Sequence, residues 1–124
     1  MNEMRNFIWA GLGGMLGSML RFGVYRMQAV YFTGSFFIGT LIVNVLGCFV
    51  IGAVSSWFEK VSAIASPMYI FVAFGILGGF TTFSAFGLDT FLLFRDGETA
   101  WAIGNIFLQI TAGLSAVYLG RLLF

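Results

Sequence analysis

The sequence predicts an all-α membrane protein, a single domain over residues 1–124 in which four helices each cross a bilayer. Only 9% of the residues are charged and 60% are hydrophobic, whereas soluble domains carry about a quarter of their residues as charged side chains. The charged residues separate long uncharged runs, which are too continuously apolar for barrel strands. A helical span needs about 20 such residues. We expect helices near residues 5–26, 35–58, 68–94 and 99–123.

The first two helices follow from two uncharged runs. Phe7–Leu20 is short, but it becomes long enough to span if Arg21 lies near the membrane boundary and extends its charge to the interface. Met27–Phe58 contains the second helix and its preceding connection. Helices are the expected conformation because every backbone polar group in lipid needs an internal partner.

The third and fourth helices are bounded by a proline and a polar turn. Pro67 is well placed to begin the third helix, since proline suits the first helical position. The turn Arg95-Asp96-Gly97-Glu98 separates it from the uncharged run Thr99–Gly120. These short connections leave no extramembrane domain, so the function is expected to reside in the helices.

The composition excludes several classes of function. Histidine is absent and Cys48 is the only cysteine, so an intramolecular disulfide, a zinc or haem site and a Cys/His catalytic pair lack the residues they need. The net charge of +1 comes without a basic tract that could hold a nucleic acid. We therefore expect neither an enzyme nor a nucleic-acid binder.

The basic residues are balanced between the two membrane sides. One side would carry Arg5, Lys60 and Arg121, and the other Arg21, Arg26 and Arg95. An excess of Lys and Arg normally fixes orientation, so this chain is expected to insert both ways and to form an antiparallel dimer about an axis in the membrane plane. An orientation set by a partner or by one dominant arginine is the alternative.

Small residues and a weak helical segment mark the third span. Gly13 with Gly17, and Gly75 with Gly79, have the GxxxG spacing of closely packed helices. The stretch Gly75–Phe86 then combines adjacent glycines with two β-branched threonines, which are poor helix formers. We predict a break whose carbonyls could coordinate a cation and whose following amides could face an anion. A merely kinked helix is the alternative.

Polar and charged side chains inside the spans are the candidate functional residues. Asn44 in the second span either makes an interhelical hydrogen bond or lines a polar path. Asn105 and Gln109 begin a polar-to-small face on the fourth helix, which must meet protein or water. Arg21 and Asp89 are the charges expected to be embedded, either as anchors or at a vestibule.

Three separated patterns identify a resemblance that covers nearly the whole chain. They are GGMLGSMLRF at residues 13–22, GTLIVNVLG at residues 39–47 and GGFTTFSAF at residues 78–86. Together with the length and the four spans, they resemble the Fluc (CrcB) family of fluoride channels. The resemblance implies a multi-pass protein of the cell membrane that exports fluoride passively, through two antiparallel pores in a dimer of identical, oppositely oriented subunits.

The resemblance also implies roles for individual residues. Phe83 and Phe86 would be pore phenylalanines, Asn44 a pore asparagine, and Thr82 and Ser84 the source of hydroxyl groups. The main-chain carbonyls of Gly78 and Thr81 from both subunits would hold a structural sodium ion, and Arg21 would lie at the vestibule. Asn105 and Gln109 would belong to the pore, although the family usually has small hydroxyl residues there. Ala85 likewise stands where the family often has threonine.

Two other functions fit four short spans. A small proton-coupled multidrug exporter would need a membrane carboxylate, and Asp89 is the candidate. Changing Asp89→Asn is expected to abolish transport by such an exporter and to leave a channel largely working. A non-transporting scaffold subunit would have no need of Asn44 beside the Gly-Gly-x-Thr-Thr segment.

Overall fold

The computed structural model describes residues 2–34 and 37–124, and within these ranges every regular element is a helix. Four helical spans are long and apolar enough to cross a membrane, which confirms an all-α, multi-pass membrane protein. Their bounds are Asn2–Tyr31 (α1), Phe37–Lys60 (α2), Pro67–Arg95 (the third span) and Thr99–Arg121 (α6).

The first helix is longer than its hydropathy predicts. It begins at Asn2 and ends at Tyr31, beyond the expected range of 5–26. At 1.5 Å per residue, α1 continues for about 15 Å past Arg21, so this arginine does not lie at the end of the helix. The expected start of the second helix at residue 35 falls outside the described residues.

The third span consists of several helical segments. It contains α3 (Pro67–Tyr69), a π-helical segment (Ile70–Leu77), α4 (Gly78–Phe80) and α5 (Phe83–Arg95). Ser66 caps its start, because the Ser66 hydroxyl accepts a hydrogen bond from the Tyr69 N–H at 3.2 Å. Pro67 is at the beginning of the helix, as the sequence predicts.

A glycine ends the third span. Gly97 has φ +81°, a left-handed conformation that suits glycine. The Glu98 N–H then bonds the Leu93 carbonyl at 2.8 Å, and the Gly97 N–H bonds the Phe94 carbonyl at 3.1 Å. These two bonds form a Schellman motif, which turns the chain sharply into α6.

The helices pack in two close pairs. The first pair is α1 against the π-helical segment and α4, and the second is α2 against α6. A Cβ atom on Gly13 would lie 2.8 Å from the Gly75 Cα, so this pair of glycines confirms the predicted close contact. A Cβ atom on Gly120 would lie 2.9 Å from the Ala53 backbone nitrogen, so α2 and α6 approach equally closely.

The interior contains both apolar and polar side chains, while the surface is largely apolar. Val43, Asn105 and Thr40 are the largest fully buried side chains. Large apolar side chains are exposed along every span, among them Phe7, Leu46, Phe91, Phe107 and Leu114. This arrangement suits a lipid solvent, in which apolar side chains face outward and polar ones find partners inside.

Candidate functional site

Two consecutive residues interrupt helical backbone in the third span. Thr81 (φ −83°, ψ 159°) and Thr82 (φ −156°, ψ 120°) are extended, between the end of α4 and the start of α5. The local sequence favours this conformation, since two glycines precede the threonines and both threonines are β-branched. The interruption leaves backbone polar groups that need other partners inside a membrane.

The Asn44 side chain supplies partners for the interrupted backbone. Its Oδ1 accepts a hydrogen bond from the Thr82 N–H at 2.8 Å, and its Nδ2 donates to the Thr82 carbonyl at 3.0 Å. The Thr82 hydroxyl in turn accepts from the Ala85 N–H at 3.2 Å and caps α5. The side-chain amide of Asn44, held on α2, thus pairs with the Thr82 backbone in the way that a second peptide group would.

Two carbonyls at this point are suited to hold a cation. In a continuous helix the Thr82 N–H would bond the Gly78 carbonyl, but here it bonds Asn44. The Thr81 carbonyl accepts a hydrogen bond from Arg21 Nη1 at 3.2 Å and has a second lone pair. These neutral, hard oxygens fit a sodium ion, although one chain supplies only two of them.

An open groove of about 410 Å³ brings most of the predicted site residues together. Its lining includes Asn44, Gly78, Thr81, Thr82, Phe83, Phe86 and Gln109. Phe83 is 82% exposed, and the centroid of its ring lies 5.4 Å from that of Phe86 at an interplanar angle of 56°. The two rings therefore present edges as well as faces beside the amide and hydroxyl groups.

The remaining predicted residues lie around the groove rather than in its lining. Ser84 is one contact away, with its hydroxyl 3.2 Å from that of Thr82. Arg21 is held at the Thr81 carbonyl. Asn105 is only 1% exposed and donates to the Thr90 hydroxyl at 3.1 Å, so it packs between α5 and α6.

A second polar cluster surrounds Asp89. The Thr40 hydroxyl donates to Asp89 Oδ2 at 2.6 Å and lies 3.3 Å from the Tyr25 hydroxyl. Gln28 Oε1 accepts from the Gly39 N–H at 2.9 Å. These contacts tie the C-terminal half of α1 to α2 and α5.

Sequence reasoning missed Tyr25, Gln28 and Thr90. Tyr25 and Gln28 follow Arg21 by four and seven residues, which places all three on one face of α1. This spacing is the sequence pattern that could have identified them. Thr90 follows Phe86 by one helical turn. Its hydroxyl donates to the Phe86 carbonyl at 2.8 Å, a contact that only the structure reveals.

Comparisons with a family model and with individual known proteins point to the same family. The family model described as "CrcB-like protein, Camphor Resistance (CrcB)" matches residues 8–121. A fluoride-specific ion channel FluC from Ruminiclostridium cellulolyticum is 38% identical over 123 residues, which cover 99% of this chain and 95% of that protein. Proteins of the same name from Opitutus terrae and Helicobacter acinonychis are 40% and 42% identical, covering 96% and 92% of this chain and 92% and 91% of their own lengths. The chain therefore belongs to the CrcB family of membrane proteins.

Proposed function

We propose that this protein is a fluoride-selective channel that lets fluoride leave the cell passively and so protects the cytoplasm. The observation that carries the proposal is the groove in which Asn44 and Thr82 lie beside Phe83 and Phe86. The relatives named as fluoride-specific ion channels support it, since they match this chain over nearly its full length. A channel moves ions without catalysing a reaction, so this function agrees with the expectation that the chain is not an enzyme.

The chemistry of the groove suits fluoride. Fluoride is small and strongly hydrated, so its dehydration requires close amide, hydroxyl or backbone donors. The edge of a phenylalanine ring carries the positive part of its quadrupole and can contact an anion. The described residues that line the groove include no charged side chain, which favours release, because an ion held too tightly cannot leave.

The proposed channel is a dimer of identical subunits in opposite orientations, with two pores. The groove is open along one side, and the exposed Phe83 ring stands in it. A second copy would close this side and exclude lipid from the polar groups. With Arg21 inside the bundle, three basic residues remain on one side and two on the other, and this small difference supports insertion in both directions.

A sodium ion at the dimer axis would have a structural role. The Gly78 and Thr81 carbonyls of each subunit would hold it, and two subunits would supply four oxygens. Bound there, sodium would supply positive charge that holds the two interrupted backbones together. Arg21 already donates to the Thr81 carbonyl at 3.2 Å, so sodium would either share that oxygen against the repulsion of the guanidinium or displace it.

The multidrug exporter is the less favoured function. The relatives carry the name of a channel. Asp89, the carboxylate that an exporter would use, accepts a hydrogen bond from Thr40. It lies outside the lining of the groove.

Replacing either pore phenylalanine is expected to slow fluoride efflux. Phe83→Ile and Phe86→Ile retain apolar bulk but remove the ring edge, and we expect the flux to be at least about fivefold slower, since an aromatic contact is worth roughly 1 kcal/mol. Purified variants in liposomes, read with a fluoride electrode, provide the measurement. Phe107→Ile, on an exposed face of α6, is the matched control. Normal flux in both pore variants would contradict the assignment of Phe83 and Phe86.

A further inference from the structure

Two amide side chains on α6 lie one helical turn apart and each has an unpaired atom. Asn105 Oδ1 and Gln109 Nε2 are buried and make no hydrogen bond with the part of the chain that the structure describes. Buried polar atoms are nearly always paired, so each unpaired atom requires an explanation. The hydrogen bonds at either end of this pair determine which atoms are free.

The backbone at Thr82 sets the orientation of Gln109. The Thr82 N–H can only donate, so the Asn44 atom that it contacts is the oxygen, and the Asn44 nitrogen faces the other way. That nitrogen donates to Gln109 at 3.1 Å, which identifies the contacting Gln109 atom as Oε1. Gln109 Nε2 is therefore left as a free donor.

The backbone at Phe86 sets the orientation of Asn105. The single hydroxyl hydrogen of Thr90 bonds the Phe86 carbonyl at 2.8 Å. The Thr90 oxygen must then accept its other hydrogen bond, so the Asn105 atom 3.1 Å away is Nδ2. Asn105 Oδ1 is consequently left as a free acceptor.

The free donor and the free acceptor complement each other. Residues four apart are neighbours on a helix surface, with Cβ atoms about 5–6 Å apart, and both side chains end in amides. We propose that Gln109 Nε2 donates to Asn105 Oδ1 through one bridging water, since the described residues show no direct hydrogen bond between these atoms. This contact would complete a continuous series of hydrogen-bonded side chains, Asn44, Gln109, Asn105 and Thr90, which we call the amide ladder.

The amide ladder links the two ends of one helical turn. It would run from the Thr82 backbone across α2 and α6 to the Phe86 carbonyl, and the turn between them carries Phe83 and Phe86. Asn105 and Thr90 are therefore positioning residues, which act through Phe86 without lining the groove. This inference rests on the proposed fluoride channel, and it gives buried Asn105 a role that a lining residue would not have.

Thr90→Val tests the ladder most cleanly, because valine has nearly the same shape and lacks the hydroxyl. We expect fluoride efflux about tenfold slower and a lower fluoride-to-chloride flux ratio, since loss of one partner leaves the Asn105 amide unpaired. Thr90→Ser keeps the hydroxyl and is expected to restore both values to within about twofold of wild type. The matched control is Thr111→Val, because Thr111 makes the same backbone bond, to Phe107 at 2.7 Å, on an exposed face.

A double variant separates positioning from independent effects. Thr90→Val and Gln109→Leu change residues on either side of the proposed contact between Gln109 and Asn105, so the double variant is expected to be no slower than the slower single variant, whereas independent sites would give additive losses. Each protein must elute from a sizing column as wild type does. If Thr90→Val elutes differently from wild type, Asn105→Ser is measured in its place, and Asn105→Gln, which keeps the amide, is its control.

The outcomes distinguish the ladder from the function on which it rests. Wild-type flux and selectivity in both Thr90→Val and Asn105→Ser would overturn the ladder while the fluoride channel stands. Additive losses would overturn it as well. Absence of fluoride flux through the wild-type protein would instead overturn the proposed function.

Discussion

Replacement of Asn44 by leucine is expected to abolish fluoride flux. Asn44 is the partner of both the Thr82 N–H and the Thr82 carbonyl, and leucine would leave both groups unpaired within the membrane. Each unpaired buried group costs about 1–3 kcal/mol. The extended conformation of Thr81 and Thr82 would lose its main support, so the positions of Phe83 and Phe86 would change. Fluoride efflux from liposomes should fall at least about a hundredfold if both losses act together.

Leu46→Ala provides the control for this prediction. Leu46 lies two residues away on the same helix, and its side chain is 50% exposed outside the groove lining. We expect its efflux to stay close to wild type, because the substitution removes only exposed apolar surface. Wild-type efflux in Asn44→Leu would show that the hydrogen bonds to Thr82 are dispensable.

Gly79→Leu is expected to prevent assembly of a folded protein. A Cβ atom at Gly79 would lie 2.5 Å from the Gly14 carbonyl oxygen and 3.0 Å from the Ser18 backbone nitrogen. Both contacts are with backbone, so a larger side chain can be accommodated only if α1 moves away from α4. Overpacking of this kind costs about 1–3 kcal/mol or more, and the shift would also displace the Gly78 carbonyl.

Gly11→Leu is the matched substitution on α1. A Cβ atom there has no neighbour within 4 Å among the described residues, so the added side chain would face the surroundings of the subunit. Detergent extracts of cells that produce each variant should show a wild-type elution profile for Gly11→Leu and little or no folded Gly79→Leu protein. A stable Gly79→Leu protein with sodium-dependent activity would contradict the close packing of α1 and α4.

Much of the fold could be predicted because charge and hydropathy vary sharply along this chain. Pro67 and the turn at residues 95–98 lie at the two ends of the third span, Pro67–Arg95. The length of α1 could not be predicted in this way. Hydropathy treats Arg21 as a boundary, whereas its guanidinium finds the Thr81 carbonyl inside the bundle and the helix continues.

The sequence indicated which residues form the candidate site, but it did not indicate which residues they contact. Asn44 is conspicuous as an amide in an apolar span, and the weak helix formers of residues 75–86 indicated irregular backbone. The pairing of Asn44 with Thr82, and the burial of Asn105 against Thr90, depend on how α2, α5 and α6 meet. No local pattern contains that information, because the partners lie 38 and 15 residues apart.

Fluoride efflux from liposomes that contain only the purified wild-type protein tests the central claim most directly. A fluoride electrode records release after the membrane potential is set, and identical liposomes loaded with chloride are measured with a chloride electrode. We predict rapid fluoride release with little chloride release, which would show that this chain alone forms a selective channel. Equal release of both ions, or no fluoride release from liposomes that contain the correctly assembled protein, would contradict the proposed function.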